Sequence, residues 1–276
     1  MDLSSRVKLN NGVEVPYLGL GMFESKDGEE AYNAAKWALE AGYRHIDTAM
    51  IYGNEDSVGK AIKDSGIPRD EIFVTTKLWN EDMRQGNQLT AIDESLTRLG
   101  LDYVDLYLIH WPVRNVYVES WKKMEEIYKS GKAKAVGISN FNIHHIEDIM
   151  AVSDLVPAVN QCECSPELTQ VELADYCMKK GILFEPWAPL GKAETLKRPE
   201  IIAMADKYGK TPAQVILRWG LQRGFINIPK SSNKSRIQEN AGIFDFELDN
   251  TDFQALFTLN ADKRYGPDPE TWEGCM

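Results

Sequence analysis

The chain contains 276 residues, of which 43% are hydrophobic and 26% are charged, and its formal net charge is −11. This composition is typical of a folded globular protein, and a chain of this length buries enough apolar surface to fold without disulfides or a metal ion. The acidic balance argues against a nucleic-acid-binding protein and against docking on anionic membranes, since both need a basic surface. A local basic pocket for an anionic ligand is still compatible with this charge.

The N-terminal segment and the cysteines predict a cytoplasmic protein. Residues 1–12 contain no apolar signal core, and the sequence has no apolar run near the about 18 residues of a membrane span. The four cysteines are too few for a disulfide scaffold, and none are spaced as CxxC. They are Cys162, Cys164, Cys177 and Cys275. Cys162 and Cys164 share one face of a predicted strand, and we expect them to be buried and reduced.

The first predicted element is a β-hairpin over residues 7–16. Short alternating segments flank Asn10-Asn11-Gly12. Asn-Gly is a strong signal for a tight turn between antiparallel strands.

Short β-like runs then alternate with helical stretches along the chain. Ile92, Leu96 and Leu99 have the spacing of one helix face, as do Leu173, Tyr176 and Cys177, and Thr211-Pro212 begins a third helix over residues 211–223. Eight β-like runs cover residues 17–21, 43–47, 72–77, 105–110, 134–139, 158–161, 182–187 and 226–230.

Eight strands that alternate with helices predict parallel βαβ units. At this length the natural solution is one closed (β/α)8 barrel, and we expect residues 1–276 to form a single domain because no linker interrupts the series. The alternative is an open doubly wound sheet. Gly19-Leu20-Gly21 begins the dinucleotide-binding pattern of such a sheet, but Glu24 stands where the third glycine is required.

In a barrel the carboxyl ends of the strands form the active face. Nearly every run delivers a polar or aromatic side chain, or a ligand-compatible glycine, to that rim. A purely structural barrel has little reason for this. The residues are Gly21, Met22, Phe23, Asp47, Tyr52, Lys77, Trp79, His110, Trp111, Ser139, Asn140, Gln161, Trp187, Lys230 and Ser231.

Asp47 ends an apolar run, where a lone buried carboxylate is unfavourable, and Lys77 is the nearest candidate cation. A structural ion pair is the alternative. Beside this ammonium we expect the pKa of Tyr52 to fall from about 10 toward neutrality, which would make the phenol a proton donor. His110 is either an ordinary core histidine or a hydrogen-bond donor that orients a carbonyl group. Because Asp47, Lys77 and Tyr52 are expected at the same rim, we favour the donor.

Residues 228–240 combine a strand end, a basic hydroxyl-rich loop and a helix start. Lys230, Ser231, Ser232 and Arg236 with the helix N-terminus predict a phosphate site, the alternative being a solvated loop. His144 and His145 point about 100° apart on a helix and match no zinc spacing, so we expect no metal. The turn-rich segment 265–269 is predicted to form either a lid or a disordered tail.

Three spaced motifs carry a resemblance to a known family. They are residues 42–49 with Glu55 and Val58-Gly59 behind them, residues 134–141, and residues 228–240. The chain resembles the aldo-keto reductases over nearly its whole length, and within them the short bacterial and protozoan members. Those members include 2,5-diketo-D-gluconate reductases, glyoxal and methylglyoxal reductases and a prostaglandin F synthase.

The resemblance implies a barrel closed at its bottom by the N-terminal hairpin, which binds NADPH without a Rossmann domain. It implies a catalytic tetrad of Asp47, Tyr52, Lys77 and His110. It also implies that Ser139, Asn140 and Gln161 hold the nicotinamide amide and that Trp187 stacks on the ring. The other implied cofactor residues are Gly21, Met22, Asp47, Ala188, Pro189, Leu190 and Gly191 near the nicotinamide and pyrophosphate, Lys230, Ser231, Ser232 and Arg236 at the 2′-phosphate, and Glu239 and Asn240 at adenine.

Three positions depart from the family pattern. Ala188 replaces the usual Ser of the pyrophosphate loop, Ser165 replaces a usual His, and Phe23 stands where many members have Trp. We expect the Ala188 departure to remove one polar contact to the pyrophosphate. We expect the Ser165 and Phe23 departures to affect the substrate and local packing, not the chemistry. We expect Phe23, Trp79 and Trp111, with Tyr52 and His110 beneath them, to line the substrate slot.

The predicted function is NADPH-dependent reduction of aldehydes or ketones to alcohols, with Tyr52 as proton donor. The expected partner is a small-molecule carbonyl compound, and the expected state is a monomer. One alternative is a non-catalytic nucleotide-binding or structural barrel, which would be expected to lose a tetrad member. Another is an aldolase-type barrel in which Lys77 forms a Schiff base.

Overall fold

A cylinder of parallel strands surrounded by helices forms the centre of the protein, in a computed structural model that describes residues 1–272. Seven strands are hydrogen-bonded to one another in chain order, and a two-stranded hairpin precedes them. The strands are β1 (Arg6–Lys8), β2 (Glu14–Pro16), β3 (Leu20–Gly21), β4 (His45–Asp47), β5 (Phe73–Leu78), β6 (Val104–Ile109), β7 (Ala133–Ser139), β8 (Val159–Glu163) and β9 (Leu183–Trp187).

The eighth predicted run closes the cylinder through isolated bridges instead of a regular strand. Parallel bridges join Asn227 to Leu18 and Lys230 to Gly21. Pro229 lies between the two bridges and has no N–H, so a continuous ladder cannot form there. The (β/α)8 barrel is confirmed, and only the regularity of its last strand differs from the prediction.

Helices follow the strands on the outside of the cylinder. Three predicted helices are confirmed. They are those at Ile92 to Leu99, at Leu173 to Cys177 and over residues 211–223, which form α4 (Gln88–Leu99), α7 (Val171–Lys179) and α9 (Pro212–Gln222). No helix in residues 1–272 is long and apolar enough to cross a membrane. The helices are α1 (Glu29–Glu40), α2 (Glu55–Asp64), α3 (Asn80–Gln85), α4 (Gln88–Leu99), α5 (Tyr117–Ser130), α6 (Ile143–Met150), α7 (Val171–Lys179), α8 (Pro199–Tyr208), α9 (Pro212–Gln222), α10 (Lys234–Asn240) and α11 (Asn250–Phe257).

The hairpin plugs the bottom of the barrel. Leu9 and Val15 are buried in one apolar cluster with Phe73, Leu106 and Leu108 from the barrel strands. Burying a side chain of this size stabilises the fold by about 1.5–3 kcal/mol. The hairpin therefore seals the end of the cylinder opposite the strand termini that carry the candidate site.

Successive side chains of each strand point alternately into the barrel interior and outward to the layer beneath the helices. On β5, Val74 and Leu78 belong to the outer core, whereas Phe73 packs inside the cylinder. Because side chains alternate with a period of two, Lys77 shares the interior face with Phe73. Charged groups on this face lie inside the cylinder rather than in water.

Cys162 and Cys164 are buried free thiols, as expected, and Cys177 is a third. Burial raises the pKa of Cys164 to about 11, which makes it a poor nucleophile. Cys275, the fourth cysteine, lies outside the described residues.

Candidate active site

The four residues proposed as a catalytic tetrad lie at one end of the cylinder. Asp47 ends β4, Lys77 lies near the end of β5, and His110 directly follows β6. Tyr52 belongs to a short 3-10 turn, Met50–Tyr52, that follows β4. The strand ends thus bring together residues as far apart in the sequence as Asp47 and His110, which are 63 positions apart.

Lys77 is fully buried, and its ammonium group lies among three oxygen atoms. Nζ is 2.7 Å from Asp47 Oδ1, 2.8 Å from the carbonyl oxygen of Thr48 and 3.4 Å from the hydroxyl oxygen of Tyr52. The second oxygen of Asp47 accepts a hydrogen bond from Gln161 at 2.8 Å. The carboxylate is therefore fully paired, as a buried charge must be.

Burial and charge act in opposite directions on the pKa values of Lys77 and Tyr52. Burial acts to lower the pKa of Lys77, but the nearby Asp47 and Tyr52 outweigh it and the pKa lies above its usual 10.5. Burial raises the pKa of Tyr52 above 10, and Lys77 offsets only part of this. The predicted lowering of the Tyr52 pKa was therefore wrong. The phenol keeps its proton at neutral pH, and this is the form that can donate.

His110 is a neutral imidazole beside Tyr52. Burial, assisted by the charge of Lys77, holds the pKa of His110 well below 6.5. Its ring centroid is 5.7 Å from that of Tyr52, and its Nδ1 has no hydrogen-bond partner within residues 1–272. A neutral imidazole donates from one ring nitrogen only, so it can offer a single hydrogen bond to a bound oxygen atom.

Aromatic rings wall the space above the tetrad. The ring centroids of Phe23 and Tyr52 are 5.2 Å apart, and those of Trp79 and His110 are also 5.2 Å apart. Trp79 and Trp111 are almost completely buried. Trp272, which the sequence analysis missed, covers both: its centroid is 4.1 Å from that of Trp111 and 6.2 Å from that of Trp79. A tryptophan in a polar tail gives no periodic signal, so only the folded chain reveals it.

The predicted nicotinamide grip is one connected hydrogen-bond network. The Ser139 hydroxyl donates to the carbonyl oxygen of Gln161 at 2.8 Å, and Asn140 Nδ2 donates to the carbonyl oxygen of His110 at 3.0 Å. Trp187 Nε1 donates to Asn140 Oδ1 at 2.7 Å. Asn140 has a φ of +65°, a left-handed conformation that asparagine tolerates better than most residues. The predicted ring-stacking and amide-binding side chains are thus held against one another.

Glu185 is a second buried carboxyl group in the barrel, and the sequence analysis missed it. It lies on β9 opposite Gln161 of β8, and its Oε2 accepts a hydrogen bond from Gln161 Nε2 at 3.1 Å. Burial, together with repulsion from Asp47, raises the pKa of Glu185 to about 8. An acid inside the apolar run 182–187 was the available signal, of the same kind that identified Asp47.

Glu185 makes the stability of the protein pH-dependent. Glu185 binds its proton more tightly in the folded protein than in the unfolded chain. This difference contributes to the free energy of unfolding in full below about pH 4.5, and the contribution is lost as the pH rises to about 8. We expect the free energy of unfolding to fall more steeply between about pH 5 and 8 in the wild type than in Glu185→Gln, by up to about 1.4 kcal/mol per unit. Urea unfolding at several pH values measures both slopes, and equal slopes would contradict the prediction.

The basic loop lies beside the first barrel strand. A Cβ atom on Gly21 would lie 2.7 Å from the carbonyl oxygen of Ile228, so only glycine allows the two segments to meet. Lys230 is exposed, with its Nζ 3.9 Å from Glu30 Oε1, and Arg236 is exposed on α10. The Ser231 hydroxyl accepts a hydrogen bond from the Asn233 N–H at 3.2 Å, which shapes the loop.

The remaining predicted cofactor residues surround this loop and the end of β9. Glu239 accepts a hydrogen bond from the Thr211 hydroxyl at 2.8 Å, and Asn240 is buried. Met22 is buried, and its N–H donates to the carbonyl oxygen of Asp47 at 2.9 Å. The other members are Ser232, which is half-buried, and Ala188, Pro189, Leu190 and Gly191, which directly follow β9.

The C-terminal segment packs on the end of β9. Glu163 accepts hydrogen bonds from the N–H groups of Tyr265 and Gly266 at 2.5 and 3.2 Å. A Cβ atom on Gly266 would lie 2.3 Å from Cη2 of Trp187, so the tail backbone crosses directly against that ring. Tyr265 and Gly266 are therefore held against the end of the barrel, which argues against the disordered tail, and the lid stays a prediction.

His144 and His145 at the start of α6 lie close enough to Glu270 of the C-terminal segment to share one metal ion. One ligand atom each of His144, His145 and Glu270 lie within 4.8 Å of one another. However, His145 Nδ1 accepts the N–H of Asn142 at 3.1 Å in a helix cap. That contact requires the proton on Nε2, so neither nitrogen of this ring has a free lone pair for a metal.

The fold and the site together define a barrel oxidoreductase with a lysine–tyrosine pair at its mouth. Residues 17–261 match the model of the aldo/keto reductase family, and the chain belongs to that family. It is 50% identical to the glyoxal reductase of Bacillus subtilis, over 97% of both chains.

Solved structures show the same similarity. A deep-sea aldo-keto reductase from a Medee basin metagenome library is 45% identical, with a TM-score of 0.92 over 96% of this chain and 99% of its own. An aldo-keto reductase of Bombyx mori in complex with NADP is 37% identical, with a TM-score of 0.89 over 94% of both chains.

Proposed function

We propose that the protein is an NADPH-dependent reductase of aldehydes and ketones. The observation that carries this proposal is the position of the Lys77 ammonium, 2.7 Å from Asp47 and 3.4 Å from the Tyr52 hydroxyl at the mouth of a family barrel. NADPH, when bound, supplies the hydride that reduces the carbonyl carbon.

Tyr52 donates the proton that completes the alcohol. Because its pKa is raised, the phenol is protonated at neutral pH, and Lys77 stabilises the tyrosinate that is left after the transfer. His110 offers a hydrogen bond to the same carbonyl oxygen as negative charge develops on it. Lys77 does not serve as a Schiff-base amine, since its raised pKa keeps it an ammonium.

The chain's own residues fit the cofactor in their chemistry. Ser139, Asn140 and Gln161 offer the donors and acceptors that a carboxamide needs, and the half-buried ring of Trp187 is available for stacking. Lys230 and Arg236 supply cationic donors for a phosphate, with Ser231 and Ser232 beside them. Residues 188–191 with Gly21 and Met22 would hold the pyrophosphate and ring, and Glu239 and Asn240 the adenine. Ala188 has a φ of +47°, the kind of strained backbone that concentrates at ligand sites.

The aromatic walls of the substrate slot favour carbonyl compounds that have an apolar part. Phe23, Trp79 and Trp111, now joined by Trp272, wall the space above Tyr52. The family relatives with this architecture include an enzyme named for glyoxal reduction.

The direct test is NADPH oxidation, followed by absorbance, with three carbonyl compounds and one endoperoxide. The carbonyl compounds are methylglyoxal, nitrobenzaldehyde and a diketo sugar acid, and the endoperoxide is prostaglandin H2. Turnover with at least one of the carbonyl compounds supports the proposal. NADPH binding without turnover of any of them would favour the non-catalytic nucleotide-binding alternative.

Arg236→Met is expected to raise KM for NADPH about tenfold to a hundredfold and to leave KM for NADH nearly unchanged. The reason is that the guanidinium pairs with the 2′-phosphate that only NADPH carries, and a charge-assisted hydrogen bond of this kind contributes about 1.5–3 kcal/mol. Lys234→Met is the matched control, because Lys234 lies on the same helix and faces Glu40 at 3.6 Å. Equal losses for both cofactors would show that this loop does not bind the 2′-phosphate.

The same proposal describes residues 1–276 as one barrel domain that acts as a cytoplasmic monomer. The free thiols of Cys162, Cys164 and Cys177 support a reducing compartment. Size-exclusion chromatography with light scattering tests the monomer directly.

A further inference from the structure

Glu185 is an ionisable group in the barrel interior that the proposed chemistry does not use. Its carboxyl group is completely buried, and its Oε1 has no hydrogen-bond partner within residues 1–272. Its Oε2 contacts Gln161 Nε2 at 3.1 Å. A buried carboxyl group with one unpaired oxygen destabilises a fold, so a purely structural role explains it poorly.

The other neighbours of Glu185 do not form an ion pair with it. His45 Nε2 is 3.9 Å from Glu185 Oε1, beyond hydrogen-bond distance, and burial lowers the pKa of His45 to about 3, so the imidazole is neutral. His45 instead contacts the Thr75 hydroxyl at 3.1 Å. The charged groups that act on Glu185 are Asp47 and Lys77, and those two are already paired with each other.

The contact with Gln161 has a geometric consequence. The Gln161 amide nitrogen carries two hydrogen atoms, and it contacts Asp47 Oδ2 at 2.8 Å and Glu185 Oε2 at 3.1 Å. One hydrogen bond leaves an amide free to rotate about it, whereas two fix its plane. A reversed amide would place Oε1 against the Asp47 carboxylate, which is an acceptor only. The two carboxyl groups therefore turn the Gln161 Oε1 away from themselves in one defined direction.

We propose that Glu185 is a positioning residue for the cofactor: with Asp47 it holds both amide hydrogens of Gln161, so that Gln161 Oε1 is presented to an N–H of the nicotinamide carboxamide. This inference rests on the proposed function, because it takes Gln161 to be part of the nicotinamide grip. It assigns to Glu185 no contact with the substrate or the reacting atoms.

The experiment compares the binding of two oxidised cofactors by calorimetry. NADP+ carries a carboxamide, whereas its 3-acetylpyridine analogue carries a methyl ketone with no N–H to donate. The wild type is expected to bind NADP+ more tightly than the analogue. Glu185→Leu removes one acceptor from Gln161 and is expected to reduce this preference by about threefold to tenfold, the contribution of one hydrogen bond. Glu185→Gln keeps an acceptor oxygen and is expected to retain the preference within about twofold.

The ratio of the two affinities separates positioning from general damage to the fold. A merely structural loss weakens both cofactors equally and leaves the ratio unchanged, and that result in Glu185→Leu would overturn the proposal. A wild-type ratio near one would also overturn it. If Glu185→Leu does not fold, Glu185→Asp, whose shorter side chain withdraws the carboxyl group from Gln161, must show the same reduced preference. Failure of the wild type to bind NADP+ at all would instead refute the proposed function.

Discussion

Tyr52→Phe is expected to lower kcat/KM for carbonyl reduction by roughly a hundredfold to ten-thousandfold, the range of a general acid. The substitution removes only the hydroxyl group, whose oxygen lies 3.4 Å from Lys77 Nζ. The aromatic ring and its packing against Phe23 are retained. Binding of NADPH is therefore expected to stay nearly unchanged.

Steady-state kinetics with a reactive aldehyde and a fluorescence titration with NADPH measure the two effects separately. Tyr32→Phe is the matched control, because this hydroxyl contacts Asp64 on the outside of the barrel at 3.0 Å. Turnover close to that of the wild type in Tyr52→Phe would rule out the phenol as the proton donor. A large loss of NADPH affinity would show that the Tyr52 hydroxyl group contributes to cofactor binding and not only to proton transfer.

Lys77→Met is expected to abolish reduction and to lower the free energy of unfolding by about 3–5 kcal/mol, the loss that follows when one partner of a buried ion pair is removed. The Asp47 carboxylate is buried beside Lys77 at 2.7 Å and would lose its cation. The Thr48 carbonyl oxygen would lose its donor as well. Urea unfolding, extrapolated to water, measures the change.

The double variant Asp47→Asn/Lys77→Met distinguishes charge burial from a packing defect. It removes both charges, and the new amide oxygen can still accept from Gln161, so we expect most of the lost stability to return while activity stays absent. If the double variant is as unstable as Lys77→Met, uncompensated charge is not the cause. A single variant as stable as the wild type would mean that the buried pair is maintained for catalysis alone.

Local patterns predicted the architecture and the proximity of the four proposed tetrad residues, for a physical reason. The runs at β4, β5 and β6 each join apolar residues to one charged or imidazole group at the carboxyl end, and parallel strands place those ends together. The regularity of the last strand was predicted less well. Pro229 was visible in the sequence, but its effect depends on which neighbour the segment must pair with.

The sequence alone determined the barrel, the hairpin beneath it and most of the residues that line its mouth, because these follow from hydrophobic periodicity, strand ends and three local motifs. Only the tertiary structure decided the pKa of Tyr52, since burial outweighs the neighbouring ammonium by an amount that depends on the folded environment. It alone placed Trp272 over Trp111 and joined Glu185 to Gln161. Such contacts link segments that share no local pattern, and their energies arise from distance and exclusion of water, which exist only once the chain has folded.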